Sequence, residues 1–301
     1  MNHLTKMSTT TFFIGCALWG YKGWVGELFP SGSPASDFLQ LYSQRFTTVE
    51  GNTTFYSVPD AKTVARWAAG TPEGFQFCPK LPKQITHAGL LNSHIAETRQ
   101  FVERMQGLGT SAMSFNKTHL GPIFAQLPPS YSPDYFQDLQ TFLTALADET
   151  AEFALEVRHP DWFKPPHFQR LTNLLQQLGI GRVLLDTRPV YDVPDDPQLH
   201  SDRKKPRVRL DFSVTAPFSL IRYISHPELE TNLPFLQDWL IHIDQWLRQG
   251  TRIYLFVHCP LEARSPANAR YFHHLLEQYG APVPPLLWNT IDQPPTQLRL
   301  L

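Results

Sequence analysis

The segment FALEVRHPDWF, Phe153 to Phe163, places Glu156, Arg158 and His159 within four residues at the end of an otherwise apolar run. Similar endings recur along the chain. Glu50 and Asn52 close TTVEGN, Lys80 closes FQFCPK, Gln126 follows PIFA, Asp186 and Arg188 close LLDTR, Arg222 lies in LIRYIS, and His258 ends IYLFVH. Three chemistries suit these groups. A carboxylate pair such as Glu50 and Glu156 divides into general acid and general base when one lies beside an arginine and the other is desolvated. Lys80, Arg158 and Arg222 are donors that hold a phosphate or carboxylate group. Glu50, Glu156, Asp186 and His258 are the ligand types of a divalent-metal site, suited to Mg or Mn, or to Zn through the histidine.

Charge balance weighs against the metal. Lys80, Arg158, Arg188 and Arg222 already match Glu50, Glu156 and Asp186, which leaves little negative charge for a divalent ion. No metal ligand is assigned and no cofactor is expected, with a divalent ion kept as the lesser alternative. For Glu156 with Arg158, and Asp186 with Arg188, the structural alternative is an ion pair that braces the strand ends, because buried charges are commonly met by pairing.

The elements that must position these groups alternate in type. Strand-like runs fall at 12–16, 46–50, 75–80, 122–127, 153–158, 182–186, 220–225 and 253–258. Helical periodicity lies between them at Ser36–Arg45, Ala61–Ala69, Ser93–Gly107, Asp134–Leu146, His167–Leu178, Leu233–Arg248 and Pro266–Gln278. Alternation of this kind implies right-handed crossovers and a parallel sheet. Eight such units predict an α/β fold, a single (β/α)8 TIM-like barrel over 12–284, with a frayed segment at 1–11 and a tail at 285–301 packing on the barrel. An open dinucleotide-binding sheet is disfavoured, since no Gly-x-Gly-x-x-Gly turn follows a strand.

Strand side chains alternate between faces. That parity turns Cys16, Glu50, Asn52, Cys78, Lys80, Gln126, Glu156, Arg158, Asp186, Arg188, Arg222 and His258 inward at the C-terminal ends. Barrel enzymes carry their sites at this end.

Composition narrows the partners. With 26 basic and 27 acidic residues among 301, no global field recruits nucleic acid or an anionic membrane. The three cysteines, Cys16, Cys78 and Cys259, have no CxxC spacing and fit a reducing, cytoplasmic setting. No apolar run reaches membrane-spanning length. GxSxG, HExxH and P-loop motifs are absent. The basic stretch SDRKKPRVRLDF, 201–212, is either a solvated face or a lid.

An ordered set of motifs carries a family resemblance: IGCALWGYKGWVGELFP, TVEGNTTFY, KLPKQITH, EVRHPDWF, LLDTRP and ANARYFHHLL. From about Phe13 to Tyr279 the chain resembles domain-of-unknown-function family 72, the YecE-like proteins. The resemblance implies a TIM-barrel-like fold and no established activity. The motif residues it carries over are Trp19, Tyr21 and Trp24; Glu50, Asn52, Phe55 and Tyr56; Lys80, Thr86 and His87; Arg158, His159 and Trp162; and Asp186. The chain departs from the family pattern at Ala17-Leu18, at Gly51 and at VHCP, so the resemblance does not extend to His258.

The expected function is that of a metal-independent acid–base enzyme acting on a small polar or anionic metabolite. Its catalytic candidates are Glu50, Glu156, His159, Asp186 and His258. Its ligand-binding candidates are Trp19, Tyr21, Asn52, Tyr56, Lys80, His87, Arg158, Trp162 and Arg222, with the aromatic rings available to desolvate the carboxylates. The alternatives are a non-catalytic ligand-binding or regulatory barrel and a metal-dependent phosphodiesterase or isomerase. Neither a membrane nor nucleic acid is expected as a partner.

Overall fold

A computed structural model describes residues 11–109, 119–199 and 204–291. All but Thr11 of the expected frayed segment, the tail from residue 292 onward, and residues 201–203 of the basic stretch lie outside them. The strands are β1 Phe12–Cys16, β2 Thr48–Gly51, β3 Gln76–Pro79, β4 Ile123–Gln126, β5 Phe153–Glu156, β6 Gly181–Asp186, β7 Phe218–Ile224 and β8 Arg252–His258. The helices are α1 Phe38–Ser43, α2 Thr53–Tyr56, α3 Ala61–Ala69, α4 Lys83–Thr86, α5 Ile95–Gln106, α6 Phe136–Ala147, α7 His167–Leu178, α8 Arg188–Tyr191, α9 Leu233–Arg248 and α10 Ser265–Tyr279.

Local chemistry sets the helix ends. The Asp60 carboxylate caps α3 by accepting from the Thr63 amide at 2.7 Å, which satisfies a donor that the first turn leaves free. Pro234 and Pro266 occupy first-turn positions of α9 and α10, where a missing amide hydrogen costs nothing. Gly179 and Gly280 stop α7 and α10 in left-handed conformations, at φ 64° and 83°.

All the strand pairings are parallel. Six strands form one curled sheet in the order β1-β8-β7-β6-β5-β4, and β2 with β3 form a second, two-stranded sheet. The expected uniform eight-stranded barrel is thus met in part, as an α/β fold built on a curled six-stranded parallel sheet. The two-stranded pair touches both edges of that sheet. The Thr47 amide donates to the Ile14 carbonyl at 3.1 Å, and the Leu81 amide donates to the Phe124 carbonyl at 2.9 Å. Proline explains the thin seam on one side: β3 ends at Pro79 and β4 is preceded by Pro122, neither of which can donate to a ladder.

Phe13, Cys78, Phe124, Ala154, Val183, Phe218, Leu220, Tyr254 and Phe256 pack together inside the curl of the strands. The larger apolar core lies between the strands and the helices. This division corrects two parity expectations. Strand β1 turns Phe13 inward, stacked on Tyr254 at 4.9 Å, so Cys16 faces the helices and its amide donates to the Tyr42 hydroxyl. Gly15 then falls on the inner side, where a Cβ would stand 1.9 Å from the Thr48 carbonyl oxygen; only glycine admits β2 this close. On β6 the inner residues are Val183 and Leu185, so Asp186 also faces the helices.

Candidate functional site

The C-terminal strand ends converge on Arg222. From β7 its guanidinium reaches Glu50 of β2 with two bonds of 2.8 Å and Glu156 of β5 with a third. All three side chains are at most 2% exposed. Asn52 donates to Glu50 at 2.7 Å and to the Ala17 carbonyl at 3.0 Å. His258 of β8 is 2.8 Å from the other Glu50 oxygen. Arg158 donates to Glu156 at 2.6 Å and to the Gln126 carbonyl oxygen at 2.6 Å. That same Gln126 oxygen accepts from Lys80 at 2.7 Å.

Electrostatics divides these groups by role. Burial raises the Glu50 carboxyl, but Arg222 and His258 outweigh it and hold the group well below its ordinary value. For Glu156, burial is likewise outweighed by Arg222, Arg158 and Lys80, and the carboxyl falls to about 2. Both stay ionised at neutral pH, with one guanidinium between them, so they cannot divide into acid and base as the sequence suggested. Burial lowers His258 to about 4 despite Glu50; its uncharged ring therefore donates to that carboxylate.

Lys80 differs. Its ammonium is buried, lies 4.0 Å above the Phe55 ring, and has no carboxylate within ion-pairing distance among the described residues. Burial first, then Arg222, lowers it to about 7. Nearby His87 is lowered to about 4 by burial, Lys80 and Arg158. Its Nδ1 lies 2.8 Å from the Thr86 hydroxyl.

Several expected residues lie elsewhere. Asp186 accepts from Arg188 at 3.0 Å and 2.9 Å and from the Trp239 indole of α9 at 2.8 Å. It fastens a helix to the sheet and does not join the convergence. The opposite end of the same strand face follows the same pattern, with Arg182 reaching Thr172 of α7. Trp162, expected to wall the pocket, is fully buried, and its indole donates to the Tyr131 carbonyl at 2.8 Å. Trp19 packs edge-on against Trp67 at 5.2 Å and Tyr21 against Trp24 at 5.7 Å, both toward the helix layer. His159 caps the turn that follows β5 by accepting from the Asp161 amide. Tyr56 is 62% exposed beside Phe55.

Two groups escaped parity because they lie beyond strand ends. Lys205, in the β6–β7 connection, is lowered to about 8 by burial and then by Arg222, with Glu50, Arg158 and Glu156 also within electrostatic reach. Its carbonyl accepts from the Tyr191 hydroxyl, and its amide donates to Gln198. The basic run SDRKKPRVRLDF was its only sequence signal. Glu262, after β8, is raised to about 7 by burial, and its Oε1 is buried without a hydrogen-bond partner. The Trp24 indole anchors this turn through the Glu262 carbonyl at 3.0 Å. No sequence signal marked it.

The Glu50 and Glu156 carboxylates are thus committed to arginine, amide and imidazole donors. Among the described residues, no group of three His, Cys, Asp or Glu side chains is arranged to hold a metal ion. Cys16, Cys78 and Cys259 are buried free thiols, and burial pushes Cys259 up to about 12. No helix among the described residues is long and apolar enough to cross a membrane.

Fold and site together define an α/β protein of parallel strands whose C-terminal ends meet in a buried ionic network with an unpaired lysine at its margin. The chain belongs to the family described as Protein of unknown function DUF72, whose model matches residues 13–292. It is 35% identical to UPF0759 protein YecE of Escherichia coli K12 over 257 residues, 84% of this chain and 88% of that protein. Identity to UPF0759 protein YunF of Bacillus subtilis is 22% over 279 residues, 88% of this chain and 94% of that one. Crystal structures of DUF72 family proteins share the fold. That from Thermotoga maritima has a TM-score of 0.65 at 18% identity, covering 89% of this chain and 99% of that one. That from Enterococcus faecalis has a TM-score of 0.64 at 16% identity, covering 89% and 98%.

Proposed function

We propose that the protein is a metal-independent acid–base enzyme acting on a small metabolite whose oxyanionic group, phosphate or carboxylate, rests on Lys80 and Arg158. The reading treats the eight strands as one ring, supported by the hydrogen bonds at both edges of the two-stranded pair. Its single carrying observation is Lys80. This buried ammonium has three donors but, among the described residues, one hydrogen-bond partner, Gln126, and is held at about 7 chiefly by burial. An amine titrating near neutrality is suited to give and take protons. Arg158 supplies a fixed positive charge for the anion. Glu50, Glu156 and His258 keep Arg222 in place, and Glu262, held at about 7, is the second proton-transfer group.

Native mass spectrometry of freshly purified protein identifies a retained small molecule. That molecule is then incubated with the protein in deuterated water and followed by NMR. Wild type exchanges one of its protons with solvent, whereas Lys80→Met, folded by circular dichroism, exchanges none. Binding without exchange in wild type selects the non-catalytic ligand-binding alternative and refutes the enzyme reading. Retained metal at unit stoichiometry refutes metal independence.

A further inference from the structure

An open cleft of about 310 Å3 lies beside Lys80, lined by Phe55, Tyr56, Lys83, Gln84, His87 and Ala88. Its walls come from two four-residue helices at this end of the sheet, α2 after β2 and α4 after β3. Phe55 separates cleft from ionic network: one face carries the Lys80 ammonium at 4.0 Å. Tyr56 meets Phe55 edge-on at 5.1 Å, and His87 does so at 5.2 Å.

Phe55 thus adjoins the buried ammonium, Tyr56 and His87 adjoin Phe55, and the charges of Lys80 and Arg158 reach His87; Tyr56 stands 62% exposed. Single exposed aromatic side chains need no explanation, but a contiguous aromatic wall beside an anion-seeking group has the form of a ligand site. His87, held at about 4 chiefly by burial, presents an uncharged ring at neutral pH. No acidic side chain lines the cleft, so it does not repel a negatively charged compound. Volume permits the occupant, since about 150 Å3 already holds a benzene-sized molecule.

We propose that this cleft is the subsite for a planar aromatic ring on the ligand whose oxyanionic group lies at Lys80 and Arg158, which makes the ligand class a small aromatic phosphate or carboxylate. The inference rests on the anion-binding reading given above. Stacking against Tyr56 and His87 holds the ring, while Lys83 and Gln84 meet its polar substituents at the rim.

Isothermal titration calorimetry on the full chain compares methyl phosphate with phenyl phosphate, and acetate with phenylacetate. In at least one pair the ring-bearing member binds wild type roughly tenfold more tightly, the scale of one aromatic contact plus the buried ring. Tyr56→Ala, with folding checked by circular dichroism, reduces the ratio to about threefold or less, and Tyr56→Phe restores it. Equal binding of both members in both pairs overturns the aromatic subsite while the anion site stands. A ring preference that Tyr56→Ala leaves untouched also overturns it. Failure of all four compounds to bind overturns the anion site and the subsite together.

Discussion

Replacing Arg222 with methionine isolates what the ionic network does for the fold. The guanidinium makes three of the hydrogen bonds received by Glu50 and Glu156, and neither carboxylate is more than 1% exposed. Methionine fills similar volume but leaves two buried carboxylates short of their cation. Breaking a buried pair in this way costs ~3–5 kcal/mol. A second route gives the same order: Glu156 is held at about 2 against an ordinary 4.5, and ~1.4 kcal/mol per pH unit makes this ~3 kcal/mol from one carboxylate.

The pH dependence provides a sharper test than the magnitude. In wild type, native Glu156 binds fewer protons than the unfolded chain between pH 4.5 and about 2, so its contribution is complete above that window and is lost as pH falls through it. Without Arg222, Glu50 keeps only the uncharged His258 and Asn52 as donors, so burial raises its carboxyl above the unfolded value, while Arg158 still holds Glu156 down. The native variant then binds more protons, and its stability rises as pH falls from neutrality toward 4.5. Urea unfolding at a series of pH values from 7 down to 4 reads both effects. A loss below ~1 kcal/mol at pH 7, the scale of an exposed pair, would refute the reasoning. So would a variant whose stability keeps the wild-type trend with pH.

Asp186→Asn is expected to destabilise by ~1–3 kcal/mol, the cost of weakening buried charge-assisted hydrogen bonds, because the carboxylate holds Arg188 and Trp239. Anion binding measured by calorimetry stays as in wild type, and a loss of binding would return Asp186 to the site. For Glu262, a native value raised to about 7 from 4.5 means that its contribution is present below pH 4.5 and lost as pH rises to about 7. Glu262→Gln abolishes that share of the slope in thermal denaturation; an unchanged slope across pH 4.5–7 would place the carboxyl in water.

Much of the architecture was legible in the chain because local rules govern it. The periodicity at Ala61–Ala69, His167–Leu178 and Leu233–Arg248 matches α3, α7 and α9 residue for residue. Period-two alternation brought Glu50, Glu156, Lys80, Arg222 and His258 to one place from five different strands. The short helices α2, α4 and α8 were missed, since four residues give no period to read. Parity failed on β1 and β6, where the facing depends on which residue the neighbouring strand approaches. Gly15 against Thr48 settles the first, and Trp239 receiving Asp186 settles the second.

By itself, then, the sequence determined the element types, their parallel order, and which charged residues belong to strand ends, because backbone period and side-chain type are local properties. The tertiary structure decided their roles. Only packing could commit Glu50 and Glu156 to one arginine, leave Lys80 without a carboxylate among the described residues, and half-bury Glu262 within electrostatic reach of Lys205 from another part of the chain. Charge state is set by burial and by neighbours distant in sequence, and neither is written in the residues that carry the charge.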